Sequence, residues 1–190
     1  MSGLFAEKAG RSLLLAAINR EAKKGHSFTF ADITFGPPAV VDHLGKTTEV
    51  VYTANPSQTK YVGSQKAYYD KIDMEAMFRA SGVTDVQVLD SEVIGNTTAG
   101  VVTAVNARYG LGFDDNDIVI EPIESPGTVV ILRANPMSHG YSGEIVVELV
   151  EPTDPLRFMV VPTALGEVIL PDQLAPGNDM SNHGKGERDG

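Results

Sequence analysis

The chain states one pattern twice. Ala54-Asn55-Pro56 is followed by Tyr61 and Gly63, and Ala134-Asn135-Pro136 is followed by Tyr141 and Gly143, so both stretches read A-N-P-x4-Y-x-G, 80 residues apart (54 to 134, 61 to 141). Upstream, Asp32-Ile33 matches Asp117-Ile118, and Thr48-x-Val50-Val51 matches Thr128-x-Val130-Ile131. Further upstream, Ala16-Ala17-Ile18-Asn19-Arg20 answers Thr103-Ala104-Val105-Asn106-Ala107. The offset falls from 87 to 85 to 80 along these matches, which implies short insertions in the first copy. Agreement in order, spacing and residue type reads as a tandem duplication of one small folding unit. Such a design favours a protein that makes contacts over one built around a catalytic centre.

Each unit reads as a helix followed by three short strands. Leu13 to Lys24 is rich in helix formers and stops at Gly25; its counterpart, Thr98 to Tyr109, stops at Gly110 and Gly112. Alternating apolar residues then predict strands at Asp32–Phe35, Thr48–Thr53 and Gly63–Asp70 in the first copy. In the second they predict Ile118–Ile120, Thr128–Leu132 and Glu144–Val150, with Pro122, Pro126-Gly127 and Pro152 as turn signals. Between the copies, Met74–Ala80 reads as a short helix stopped by Gly82, and Val83–Leu89 as an extra strand. The expected fold class is α+β: two tandem repeats, each a helix and a mainly antiparallel three-stranded sheet, plus an extended C-terminal arm. The boundaries are 1–71 for the first repeat, 72–96 for a connecting segment, 97–152 for the second repeat, and 153–190 for a hairpin and tail. The matched apolar positions Leu15, Ile18, Ile33, Val51, Val102, Val105, Ile118 and Ile131 are expected in the core.

Charge is uneven. Residues 1–71 hold nine Lys/Arg against six Asp/Glu, whereas residues 111–155 hold only Arg133 against nine acids. A net charge of −10 opposes direct nucleic-acid binding. The polarity between copies suits a contact between the first repeat of one subunit and the second of a neighbour; solubility alone is an equally good account. No run approaches ~18 consecutive apolar residues, so no membrane span is expected, and Met1-Ser2-Gly3-Leu4 lacks the start of a secretory signal. Zero Cys excludes disulfides and thiolate metal sites.

A search for chemistry finds no anchor. His26, His43, His139 and His183 fall in no H-x3-H or H-E-x2-H spacing; His26 sits at a helix exit and His139 in the loop before Tyr141, and neither reads as a catalytic base. Asp114-Asp115-Asn116-Asp117 has the look of a calcium loop, but the sixth position from Asp115 is Ile120 where Gly is needed. The first copy keeps only the final Asp, Asp32, which argues for a residue that caps or turns the backbone. Gly110-x-Gly112 lacks the third Gly and the preceding strand of a nucleotide fingerprint. The doubled A-N-P-x4-Y-x-G has a structural account: Asn-Pro turns the chain, Tyr offers an apolar face and a hydroxyl for a backbone group, and Gly lets the third strand begin where backbones come close. The expectation is therefore no catalytic, cofactor-binding or metal residues and no cofactor.

The order Leu14-Leu15-x-Ala17-Ile18-Asn19, a Gly-containing loop with an aromatic, Asp-Ile, then Tyr-x-Gly and a strand resembles small repeated domains in virion structural proteins of large tailed bacteriophages. The resemblance covers Leu13–Asp70 and Val101–Val150 and is closest over Val105-Asn106-Ala107-Arg108-Tyr109-Gly110-Leu111-Gly112-Phe113-Asp114-Asp115-Asn116-Asp117-Ile118. The first copy departs from it, with Glu21-Ala22-Lys23-Lys24 where the second has Arg-Tyr-Gly. The implied role is a non-enzymatic particle component in many copies, made in the host cytoplasm and incorporated in capsid, neck, tail or baseplate. Its partners would be other virion proteins and copies of itself, with no direct nucleic-acid or membrane contact. A ligand-binding or adhesin-like module and an enzyme with an unrecognised site are the alternatives. From Pro171 the chain has almost no core-forming residues. Ordering such a tail costs ~1–2 kcal/mol per residue, so residues 171–190 are expected to lie on another polypeptide, with Phe158–Leu170 as the arm leading there.

Overall fold

The computed structural model describes residues 8–22, 26–57, 60–123 and 129–151, which form an α+β fold of three α-helices and mixed sheets. The hairpin, arm and tail read from residues 153–190 lie outside the described residues, as does the helix stop at Gly25.

The first half contains α1 (Gly10–Glu21), β1 (Ile33–Phe35), β2 (Ala39–His43), β3 (Lys46–Ala54) and β4 (Ser64–Tyr69). Strand β3 is central and antiparallel to all three others, pairing with β4 on one edge and with β1 and β2 on the other. The β2 hairpin falls between Asp32 and Thr48, where the sequence offset between the two matched stretches shortens from 85 to 80. Alternation along β3 turns Thr48, Val50 and Tyr52 inward. They meet Leu14, Leu15 and Ile18 of α1, together with Phe28, Ile33, Phe35, Ala67 and Tyr69.

The second half contains β5 (Ile72–Asp73), α2 (Met74–Ala80), β6 (Val86–Leu89), a 3-10 turn at Asp90–Glu92, α3 (Thr98–Tyr109), β7 (Val129–Arg133), β8 (Tyr141–Ser142) and β9 (Glu144–Val150). Gly110 closes α3 in the left-handed conformation at φ 65°, as its glycine stop signal implies. The sheet order is β6-β9-β7, with β6 parallel and β7 antiparallel to β9. This sheet is mixed where an antiparallel one was expected, because the extra strand enters beside β9. Segment 72–96, read as a connector, builds much of the second core: Ile72, Met74, Met77, Phe78, Val83, Val86 and Val88 pack with Val101, Val105, Ile118, Leu132 and Val147. The strand expected at Ile118–Ile120 reduces to one bridge between Ile118 and Ala134.

Matched residues make matching bonds. Val50 faces Ala67 and Thr53 faces Ser64; 80 positions on, Val130 faces Val147 and Arg133 faces Glu144. The Asn19 amide clamps the Phe28 backbone through two bonds of 2.8 and 2.6 Å, and Asn106 clamps Phe113 through bonds of 2.8 and 3.1 Å. Asn55 donates its N–H to the Asp32 carbonyl at 2.9 Å, and Asn135 donates to that of Asp117 at 2.7 Å. Of the expected core positions, Leu15, Ile18, Ile33, Val102, Val105 and Ile118 are buried, but Val51 is exposed and Ile131 only half-buried. Val50 and Val130 with their second neighbours Tyr52 and Leu132 point inward instead. The choice of face was one residue out in both halves alike, and a period of two turns that slip into the opposite face.

Candidate functional site

The two halves meet at the corner formed by the second A-N-P-x4-Y-x-G stretch. Helix α1 begins after Ala9, which has no side-chain group to cap it. The cap comes from 107 residues away: the Gly10 N–H donates to Asp117 Oδ2 at 2.8 Å. A carboxylate at a helix N-terminus answers unsatisfied N–H groups and the positive end of the dipole. The Ser138 hydroxyl donates to Asp117 Oδ1 at 2.7 Å and accepts the Tyr141 N–H at 3.1 Å. Both Asp117 and Ser138 are almost fully buried. Gly10 and Gly140 cross with their backbones in contact, and a Cβ on Gly10 would stand 2.6 Å from the Gly140 nitrogen.

Around this crossing, Tyr141 sets its ring edge-on to Phe113, with centroids 4.7 Å apart, and its hydroxyl donates to the Lys8 carbonyl at 2.9 Å. Ile72 donates its N–H to the Gly140 carbonyl at 2.7 Å, and β5 runs parallel to β8. His139 reaches back to the first half, with Nε2 2.8 Å from the Gly36 carbonyl oxygen and its ring beside Phe35. Lys71 Nζ donates to the Pro136 carbonyl at 2.9 Å.

Burial dominates the electrostatics. It pushes the Asp117 carboxyl above its ordinary value, against the opposing bonds from Gly10 and Ser138. It lowers His139, a shift that the Gly36 carbonyl resists and the nearby Arg11 and Lys71 charges reinforce. It also lowers Lys71. Chemically, the corner fastens protein backbone to protein side chain.

The matched corner of the first half is left uncovered by the described residues of the second half. Asp32 accepts the Thr29 N–H at 2.8 Å and the Thr29 hydroxyl at 2.7 Å, and these bonds hold its carboxyl below the ordinary value. Tyr61 packs its ring tilted against Phe28, with centroids 4.7 Å apart, and donates to the Ser27 carbonyl at 3.3 Å, with Lys60 Nζ over its ring. Phe28, Ile33, Tyr52, Lys60, Tyr61 and Val62 line a groove of about 400 Å³. His26 and Gln65 also border it, and Val62 is 91% exposed.

The sequence-selected residues thus separate. His26 lines the groove, His43 stacks on Tyr68 at 4.1 Å, His139 joins the junction, and His183 lies outside the described residues. Asp32 and Asp117 each turn the backbone, as their pairing in sequence implied, accepting the N–H three residues earlier. Each motif Tyr satisfies a backbone carbonyl, although Tyr141 does so across the junction. Gly63 corrects the reading of its role: nothing crowds it, and φ +87° is what requires glycine, whereas Gly143 has both a positive φ and the Asp73 carboxylate against it. Among the described residues no group of three or more His, Asp or Glu is placed to hold a metal ion, and no helix is long and apolar enough to cross a membrane. Sequence reasoning missed Gly10, Ser138 and Gly140. The available signal was the substitution of Gly140 for Lys60 within otherwise matched corners.

Fold and corner together define an α+β protein whose two halves are locked through a buried carboxylate. Over residues 4–180 the chain matches a family of unknown function, DUF7941, and it belongs to that family. Neither curated proteins nor solved structures gave a match.

Proposed function

We propose that this chain is a non-enzymatic structural or assembly component of a bacteriophage particle, present in many copies and acting through protein–protein contacts. The observation that carries this reading is the pair of matched corners, one sealed by chain from the other half and one that the described residues leave uncovered. A unit duplicated in tandem, with the bond pairs of Asn19 and Asn106, Asp32 and Asp117, and Val50 and Val130, accounts for both. Duplication supplies a docking geometry twice; the chain uses one copy internally and leaves the other for a neighbour. The virion setting is supported by the resemblance centred on Val105–Ile118. The charge polarity between residues 1–71 and 111–155 suits a head-to-tail contact, and heterologous contacts close into rings or propagate as arrays. Residues 171–190 are the anchor on another polypeptide, reached through the Phe158–Leu170 arm.

Mass spectrometry of purified particles tests the setting: the polypeptide is expected among the structural proteins, and its absence sinks the virion reading. Deleting residues 171–190 is expected to leave both halves folded while reducing incorporation; equal incorporation of the truncated chain refutes the anchor. The aromatic groove favours a second reading, a ligand-binding or adhesin-like module, for which a monomeric native mass would speak.

A further inference from the structure

The two corners differ in what covers them. In the second half, Tyr141–Ser142 is paired in parallel by Ile72–Asp73, and Leu13, Ile72 and Met74 share one buried cluster with Phe113, Leu132 and Tyr141. The matched first-half residues, Phe28, Tyr52 and Tyr61, line the open groove instead. Tyr61–Val62, which leads into β4, lies in no strand and makes no backbone hydrogen bond among the described residues. Unpaired backbone groups continuing an edge strand, beside an aromatic groove, are the geometry that accepts an added strand.

Lys60 decides what kind of strand. At the matched position Gly140 allows the α1 backbone to touch the loop; a lysine excludes that approach and places an ammonium at the groove mouth. The complement is an extended, apolar, β-branched segment that carries acids. The two runs of the hairpin expected within residues 158–172 have that character: Phe158-Met159-Val160-Val161, and Val168-Ile169-Leu170 with Glu167 before it and Asp172 after Pro171, with no Lys or Arg in the segment. They stand against a first half with nine basic and six acidic residues. Six residues separate Glu151, the residue after β9, from Phe158, seven residue steps in all. At ~3.3 Å per extended residue they span roughly 23 Å, enough to leave the parent fold.

We infer that the groove at Phe28, Tyr52, Tyr61 and Val62 receives segment 158–172 of a second copy of this chain, paired with the free backbone of Tyr61–Val62 and with its acids toward Lys60. This rests on the assembly role proposed above and names the surface through which copies join.

The test uses the full chain with p-benzoylphenylalanine in place of Val62, mixed with an isotopically heavy unmodified chain, irradiated and read by peptide mass spectrometry. Heavy peptides from residues 158–172 are expected in the crosslinks, and Lys60→Glu should cut their yield at least tenfold. Val40→Glu, at a site 94% exposed on β2, should leave it unchanged. Crosslinks only to light chain, crosslinks to other segments, or none at all overturn the inference. Because purified protein suffices, absence of the polypeptide from particles would leave this result standing, and incorporation without these crosslinks would refute the groove alone.

Discussion

Asp32 and Asp117 hold the same place in the two halves, each accepting the N–H three residues earlier and each offering its carbonyl to the Asn of the corner. Yet Asp32 is held below the ordinary carboxylate value by Thr29, while burial pushes Asp117 above it. The local bonds are alike; the cover differs. What α1 and β5 bring to the second corner makes a buried fastening of a turn, and the first corner shows the same local bonds without that cover among the described residues. A short sequence pattern fixes its own turn, whereas the electrostatics of that turn belong to whatever packs over it.

Exchanging the residues that distinguish the corners should break the comparison most severely. Gly140→Lys forces a side chain into the Gly10 backbone, where even a Cβ meets Gly10 Cα. Its expected cost is above ~3 kcal/mol in urea unfolding, at or beyond the upper end of overpacking. The reciprocal Lys60→Gly, on open surface, should shift the midpoint little. Core truncation comes next: Ile118→Ala and Leu132→Ala, both fully buried, should each cost roughly 2–5 kcal/mol. Val51→Ala, one residue out of register with the core, should cost far less. Equal losses at Val51 and Leu132 would refute the assigned faces.

The elements were legible because they are local. Glycine after Tyr109, alternation through Glu144–Val150 and the Asn-Pro turns specify their own backbone, and α3 and β9 carry the expected bounds. The face of β3 was not legible, since Val50-Val51-Tyr52 is apolar on both sides and either phase buries a hydrophobe. The joining of the halves was hidden for a different reason. Asp117 caps a helix 107 residues earlier, and nothing in the composition of either segment encodes that distance. The role of segment 72–96 escaped likewise, because its parallel pairing of β6 with β9 is non-local. For the candidate site, the motif residues were visible as a turn, but the groove is defined by which described residues pack over it, a non-local fact.

Removing the matched aspartates sharpens the contrast at smaller scale. Asp117→Ala leaves the Gly10 N–H and the Ser138 hydroxyl buried without their acceptor, an expected loss of about 2–3 kcal/mol. Asp32→Ala loses the Thr29 bonds at an accessible turn, where water replaces them, and its shift in unfolding midpoint should be clearly the smaller. If the two variants were equally destabilised, the α1 fastening would contribute nothing beyond the local turn.

The smallest expected effect is a pH dependence carried by His139 at the junction. With Nε2 held by the Gly36 carbonyl, Nδ1 is buried and has no partner among the described residues, so a second proton there would create an unsatisfied buried N–H. Burial, with Arg11 and Lys71 adding like charge, holds the folded value below the ordinary 6.5, although Asp117 pulls the other way. The unfolded chain then binds the proton more readily than the folded one. Stability from this group is fully present above 6.5 and is lost as pH falls through that value toward the lower folded one. Asp117, raised by burial, has the opposite sign: its contribution grows as pH falls, so it opposes the decline and cannot produce it. A thermal unfolding series from about pH 8 to about pH 5.5, on the flank of the histidine titration, should therefore show a falling midpoint in the native chain. His139→Gln, which keeps a donor for the Gly36 carbonyl and does not titrate, should flatten the series. An unchanged slope in that variant would place the pH sensitivity elsewhere and remove His139 from the lock between the halves.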